Sequence, residues 1–128
     1  MNNERPRKEV FSRSNTLPFS AALGYGDMVF ISGTVGRDPV SGEIALENVA
    51  AQTRQTLENI KKQLDLAGTS LDKVVKTTVF LVDMSQFGKM NEVYSTYFPV
   101  DPPARSTVGV TSLPDKDCLV EIELIAGR

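Results

Sequence analysis

The feature that most constrains the fold is an amphipathic stretch from Asn48 to Ala67, set between runs of β-forming residues. Its apolar positions recur at helical spacing, so one face is suited to pack against a sheet. Asn48 can cap the first turn by accepting a hydrogen bond from a backbone amide, and Gly68 can adopt the left-handed conformation that ends many helices. The stretch therefore predicts a helix whose apolar stripe consists of Val49, Thr53, Leu57, Ile60, Leu64 and Ala67.

The segments around this helix predict five strands and a second helix. A run of apolar residues at helical spacing from Ser85 to Tyr97 predicts the second helix, which Pro99 ends, and Asn91 lies within its apolar stripe. The order β-β-α-β-α-β-β predicts an α+β domain of two layers, a mixed sheet with both helices on one face. Because the last two strands are neighbours in the chain, we expect them to pair antiparallel. The predicted strands are Ser20–Leu23, Met28–Val35, Val74–Val82, Arg105–Thr111 and Leu119–Ala126.

Length and charge narrow the classes of function. The 128 residues suit one domain, residues 1–128, in which 1–8 is expected to be a flexible tail. The net charge is −2 and no basic stripe is present, which argues against nucleic-acid binding. No run of about 18 apolar residues is present, so we expect no membrane span, and the polar N-terminus predicts a cytoplasmic location.

Histidine is absent from the chain, and Cys118 is its only cysteine. These absences remove Ser-His-Asp and Cys-His nucleophilic machinery, histidine-containing metal sites and internal disulfides. They also remove the usual general base near neutral pH. Any chemistry must therefore use carboxylates, Arg, Lys, Tyr, hydroxyls, backbone groups or water. Either the substrate is intrinsically reactive, or the protein is not an enzyme.

The last two strands carry the best candidates for a site. Alternation places Arg105 on one face of its strand and Glu121 on the mixed face of the next strand, and we expect both to point away from the helices. A face that mixes charges with apolar residues is better explained if a second copy of the chain covers it. Arg105 offers a planar fork for a carboxylate, Glu121 can orient a water molecule, and Ser32-Gly33 ends a strand where a ligand can approach the backbone.

Several separate motifs in the right order resemble the RidA/YjgF family of reactive-intermediate deaminases, over nearly the whole chain. The C-terminal signature is carried by Pro103-Ala-Arg-Ser106, Val108, Leu113-Pro114 and Val120-Glu-Ile122. The other landmarks are Ser32-Gly33, Pro39-Val-Ser-Gly-Glu43, Gln52-Thr-Arg-Gln55, Asn59, Lys76-Thr-Thr-Val79 and Asn91.

The resemblance implies a chorismate-mutase-like fold and a homotrimer whose sheets pack like a barrel around a three-fold axis. It places a pocket between neighbouring subunits. It also implies hydrolysis of 2-imino and 2-enamino acids, such as 2-iminobutanoate and 2-aminoacrylate, to 2-keto acids and ammonia. Neither a cofactor nor a metal is implied, in keeping with the lack of histidine, because a protonated imine is already electrophilic.

Position by position, the resemblance makes Arg105 the carboxylate-binding arginine and Glu121 the residue that positions the attacking water. Gly33 corresponds to a backbone contact in the pocket and Asn91 to a pocket asparagine. Two further pocket positions depart from the family. Phe19 stands where many deaminases have tyrosine, and Thr107 stands where many have cysteine.

Two other functions remain open from the sequence. A non-catalytic module that senses a 2-keto acid or a related carboxylate would use the same pocket, and Phe19 and Thr107 motivate this alternative. A ribonuclease or translation inhibitor, as attributed to some relatives, is opposed by the lack of histidine, of a basic patch and of an aromatic platform for single strands.

Overall fold

A computed structural model describes residues 6–128 as one six-stranded sheet with two α-helices. The strands lie in the order β1-β2-β3-β6-β4-β5; β4 and β5 are parallel, and the other neighbours are antiparallel. The predicted α+β class with a mixed sheet is confirmed. The elements are β1 Lys8–Arg13, β2 Ser20–Tyr25, β3 Met28–Thr34, α1 Val49–Leu66, β4 Val74–Leu81, α2 Phe87–Tyr97, β5 Ala104–Gly109 and β6 Val120–Gly127.

Helix α1 begins and ends as its sequence predicts. The side chain of Asn48 accepts a hydrogen bond from the Ala51 amide at 2.8 Å, and Gly68 follows the helix with a φ of 76°. The apolar stripe is buried against the sheet, where Leu57 and Ile60 have no exposed surface. Apolar burial of this kind is the main term that holds a helix onto a sheet. The core of the domain therefore lies between the helices and one face of the sheet.

The predicted pairing of the last two strands is wrong. Strand β5 pairs with β4 in parallel, and β6 lies between β3 and β4, antiparallel to both. A parallel neighbour needs a crossover connection, and α2 provides it between β4 and β5. The chain then returns through residues 110–119 and places β6 in the interior of the sheet, which leaves β5 as an edge strand.

The N-terminal segment contains a strand that the sequence analysis did not predict. Of the tail predicted over 1–8, residues 1–5 lie outside the described residues, whereas Lys8 already belongs to β1. Strand β1 pairs only with β2 and is therefore the other edge of the sheet. Its polar composition is usual for an edge strand, and this composition hid it from a pattern search.

Within residues 6–128, no helix has the length and apolar character needed to cross a membrane. The cytoplasmic location stays a prediction.

Candidate functional site

The first group of site residues lies around Glu121, on the face of the sheet that the helices leave open. Strand register fixes this orientation, because Glu121 lies opposite Phe80 of β4, whereas the neighbouring Val79 and Leu81 are buried beneath the helices. Side chains alternate along a strand, so Phe80 and Glu121 point the other way. We call Phe19, Ser32, Gly33 and Glu121 the Glu121 cluster.

Strand β3 bulges where it approaches Glu121. Ile31 pairs with Leu124 and Thr34 pairs with Ile122. Ser32 and Gly33 therefore lie together opposite the single residue Glu123. Bulges of this kind redirect side chains and are common beside active sites. The hydroxyl of Ser32 donates to the Ser20 carbonyl at 2.6 Å, which commits its proton to the β2 backbone.

Gly33 leaves the space that the Glu121 side chain occupies. A Cβ atom placed on Gly33 would lie 2.9 Å from both Cδ and Oε2 of Glu121. Burial raises the pKa of the Glu121 carboxyl above its ordinary value, and the neighbouring charge of Glu123 raises it further. A carboxylate with a raised pKa holds a proton more readily, which suits a group that accepts a proton from water and returns it.

A cleft of about 460 Å³ opens over the Glu121 cluster. Phe19 forms part of its wall with 45% of its surface exposed. An ion pair between Arg37 and Asp115 joins the loop after β3 to the loop before β6 at this cleft. Sequence reasoning missed this pair, because its members are 78 positions apart and no local pattern connects them. The lining residues are Leu17, Phe19, Ser32, Gly33, Val35, Arg37, Pro114, Asp115 and Glu121.

The second group of site residues lies on the opposite face of the sheet, beside α2. Arg105 lies opposite Thr77 of β4, and the hydroxyl of Thr77 is 2.7 Å from that of Tyr94 in α2. The Arg105 guanidinium carbon lies 4.7 Å from the centroid of the Tyr94 ring. The prediction that Arg105 points away from the helices is therefore wrong. The reason is that β5 is an edge strand. Polar side chains on its helix-facing side lie at the border of the core and can reach solvent.

Thr107 and Asn91 accompany Arg105. Thr107 follows Arg105 by two positions and so shares its face, and its buried hydroxyl has no hydrogen-bond partner among the described residues. Asn91 lies in α2 three positions before Tyr94, which places both on one side of that helix. We call Asn91, Arg105 and Thr107 the Arg105 cluster.

One protomer therefore presents the seven predicted site residues as two clusters on opposite faces of its sheet. The structure brings Glu121 together with Gly33, but it does not bring Glu121 together with Arg105. No group of three or more His, Cys, Asp or Glu side chains is arranged to hold a metal ion within residues 6–128.

The fold and these clusters define a class of small α+β domains that carry a carboxylate on the open face of the sheet and an arginine on its helix-covered face. A family model described as Endoribonuclease L-PSP matches residues 12–127. The chain belongs to this family. Its resemblance to the RidA/YjgF proteins is thereby confirmed.

Individual relatives agree with this membership. A RutC family protein of Pyrococcus horikoshii is 52% identical over 109 residues, which cover 85% of this chain and 86% of that protein. A protein of Mus musculus named 2-iminobutanoate/2-iminopropanoate deaminase is 44% identical over 109 residues, which cover 85% of this chain and 80% of that protein. The crystal structure of a Rid-family protein of unknown function from Yersinia pestis superimposes with a TM-score of 0.90 at 38% identity, covering 95% of this chain and all of that one.

Proposed function

We propose that this protein is a cofactor-independent deaminase that hydrolyses 2-imino and 2-enamino acids, such as 2-iminobutanoate and 2-aminoacrylate, to 2-keto acids and ammonia. The observation that carries the proposal is the Arg105 cluster, in which a guanidinium without a carboxylate partner lies beside a buried hydroxyl without a hydrogen-bond partner. Both statements concern residues 6–128. Such groups suit the binding of a small carboxylate. The mammalian relative named as a 2-imino acid deaminase supports the choice of substrate.

The active site we propose lies between two protomers of a homotrimer. The Arg105 cluster of one protomer would face the Glu121 cluster of its neighbour, because the two clusters of one chain lie on opposite faces of the sheet. The open face suits coverage by another copy, since Phe30 and Val108 expose 40% and 41% of their surfaces there. Apolar side chains grouped on a sheet face are typical of protein interfaces. In this arrangement the sheets would surround the three-fold axis.

In the proposed reaction, Arg105 binds the substrate carboxylate through its planar fork, and the Thr107 hydroxyl and the Asn91 amide complete the polar contacts. The backbone at Ser32 and Gly33 lines the other side, and Phe19 forms an apolar wall. Glu121 orients a water molecule. These contacts hold the imino carbon near the water without any group being asked to form a covalent intermediate.

The substrate reacts as the protonated imine, which an enamino acid forms by taking up a proton from solvent at its terminal carbon. The water oxygen forms a bond to the imino carbon, the carbon–nitrogen double bond becomes a single bond, and Glu121 accepts the water proton. Glu121 then gives that proton to the nitrogen, the carbon–nitrogen bond breaks and ammonia leaves. The remaining hydroxyl loses its proton to Glu121 as the keto group forms, and the proton passes to solvent or to ammonia. The products are one 2-keto acid and one ammonia for each imino acid and water consumed.

The test generates 2-iminobutanoate with a threonine dehydratase and traps it with semicarbazide. The wild-type protein should lower the rate of semicarbazone formation, and Arg105→Ala should not. Equal rates with the two proteins would refute the catalytic proposal. If a 2-keto acid raises the melting temperature of the wild-type protein without any turnover of the imine, the pocket belongs to a binding module instead.

A further inference from the structure

The side chain of Arg105 rests on two aromatic rings of α2. Its guanidinium carbon lies 4.7 Å from the centroid of the Tyr94 ring and 5.6 Å from that of the Phe87 ring. Both distances are within the range of cation–π attraction. Phe87 and Tyr94 are seven positions apart, which is close to two helical turns, so the same side of α2 presents both rings.

Tyr94 is itself held in place from two sides. Its hydroxyl lies 2.7 Å from that of Thr77, the residue of β4 that is in register with Arg105. Its ring centroid lies 4.8 Å from that of Phe98. Burial raises the pKa of the Tyr94 hydroxyl, so the ring carries no charge at neutral pH. The sheet therefore fixes the position of the ring against which Arg105 lies.

A cation–π contact holds Arg105 without using an acidic side chain. The rings attract the charge of the guanidinium, whereas a carboxylate binds to its N–H donors. An ion pair would have oriented the side chain equally well, but it would have occupied those donors. Within residues 6–128, no acidic side chain forms an ion pair with Arg105.

We propose that Phe87 and Tyr94 are positioning residues, which hold the Arg105 guanidinium in place so that its N–H donors meet the substrate carboxylate. This inference rests on the proposed function, because it assigns a purpose to the arginine of the same site. The rings touch the arginine and not the reacting atoms. Their loss should weaken carboxylate binding before it affects the chemical step.

The experiment compares Phe87→Leu with Phe87→Tyr, and Tyr94→Leu with Tyr94→Phe, in the full-length protein. The leucine variants lose the π face, while the aromatic variants keep it. Phe87 is 38% exposed, so its replacement should leave the fold intact. Phe87→Leu and Tyr94→Leu should each raise KM for 2-iminobutanoate about fivefold and change kcat less than about twofold. Phe87→Tyr should stay within about twofold of wild type, and Tyr94→Phe, which keeps the ring but loses its contact with Thr77, should raise KM less than Tyr94→Leu does.

A matched control comes from the same helix. Tyr97 also belongs to α2, but its hydroxyl donates to Glu58 of α1 at 2.7 Å. Tyr97→Leu should lower the melting temperature without raising KM. A purely structural role for Phe87 would give that same pattern, so a wild-type KM in Phe87→Leu would overturn the positioning role.

A second readout separates this inference from the proposed function. The dissociation constant of 2-oxobutanoate, measured by calorimetry, needs no turnover. If wild type shows no deaminase activity but Phe87→Leu weakens 2-oxobutanoate binding about fivefold, the positioning role holds and the catalytic proposal fails. If wild type is an active deaminase and Phe87→Leu has the same KM and the same dissociation constant for 2-oxobutanoate, the positioning role fails and the catalytic proposal stands. Absence of both binding and turnover in wild type would overturn both.

Discussion

Arg105 and Glu121 lie on opposite faces of the same sheet, Arg105 in register with Thr77 and Glu121 in register with Phe80. One chain therefore cannot direct both side chains at the same small substrate. Each residue has the surroundings of half a site, because among residues 6–128 Arg105 has no carboxylate partner and the Glu121 carboxyl has a raised pKa. Two protomers would bring the halves together.

Arg105→Lys should reduce kcat/KM by about tenfold or more, although the charge is retained. Lysine has no planar fork with which to bind both oxygens of a carboxylate. The measurement is the semicarbazone competition assay over a range of 2-iminobutanoate concentrations. Arg54→Lys, a substitution at an exposed position of α1, serves as the control and should leave kcat and KM unchanged. Near-normal activity in Arg105→Lys would contradict two-point binding of the carboxylate.

Gly33→Ala should lower kcat about tenfold while changing the free energy of unfolding by less than about 1 kcal/mol. The new Cβ would come within 2.9 Å of the Glu121 carboxylate, which is the mobile end of its side chain and can move aside at little cost. The displaced carboxylate no longer holds water in line with the substrate. Steady-state kinetics measure kcat, and denaturant unfolding measures the free energy of unfolding.

The control for that substitution is Gly88→Ala in α2, where a new Cβ meets no atom within 4 Å. This variant should be as active as wild type and more stable by up to about 1 kcal/mol, because alanine favours the helix. If Gly33→Ala is also fully active, the placement of Glu121 has no role in the rate.

The activity should fall on the acid side as Glu121 takes up a proton, since the protonated form cannot accept one from water. Burial and the charge of Glu123 raise the pKa of Glu121, so the loss should begin above the pH at which an ordinary glutamate titrates. Glu123→Gln removes the neighbouring charge and should move this limb of the pH–rate profile to lower pH. An acid limb that does not move in Glu123→Gln would show that another group controls it.

The same raised pKa has a consequence for stability. In the folded state Glu121 binds a proton more readily than in the unfolded chain, so its charged form opposes folding above its folded pKa. That penalty disappears as the pH falls through the folded pKa. Glu121→Gln should therefore be more stable than wild type at pH 7, and the difference should shrink towards pH 4. Denaturant midpoints at both pH values measure it.

Gln52→Leu should destabilise the domain by about 2 to 4 kcal/mol. The buried amide donates to the Asp117 carbonyl at 3.0 Å and accepts from the Leu119 amide at 2.7 Å, so it ties α1 to the segment that leads into β6. Leucine would leave both backbone groups without these partners. Denaturant unfolding measures the loss, and Arg54→Leu on the exposed side of the helix should change stability by less than about 0.5 kcal/mol.

The sequence predicted what depends on local pattern and missed what depends on strand order. The bounds of α1 follow from Asn48 and Gly68, which act on their own neighbours. The faces of Arg105 and Glu121 depend instead on where β5 and β6 enter the sheet, and adjacency in the chain suggested the wrong pairing. Side chains still alternate along β5 and along β6, but β4 lies between these two strands. The face of Arg105 therefore cannot be deduced from the face of Glu121.

The candidate site shows the same division. The family resemblance supplied the residues of both clusters, yet no pattern in one chain shows that they lie apart. Arg37 and Asp115 were missed because an ion pair between two loops leaves no periodic signal. Strand β1 was missed because Val10 and Phe11 are its only large apolar residues.

We propose that each active site takes Arg105 from one protomer and Glu121 from its neighbour, and mixed oligomers test this directly. Arg105→Ala and Glu121→Gln are co-expressed in equal amounts with different tags, and the mixed oligomers are isolated. Each mixed trimer has both intact residues in one of its three sites, so the isolated mixed oligomers should show about one third of the wild-type activity. Arg105→Ala mixed with the double variant should stay inactive. Mixed oligomers of the two single variants that are no more active than either parent would contradict the claim.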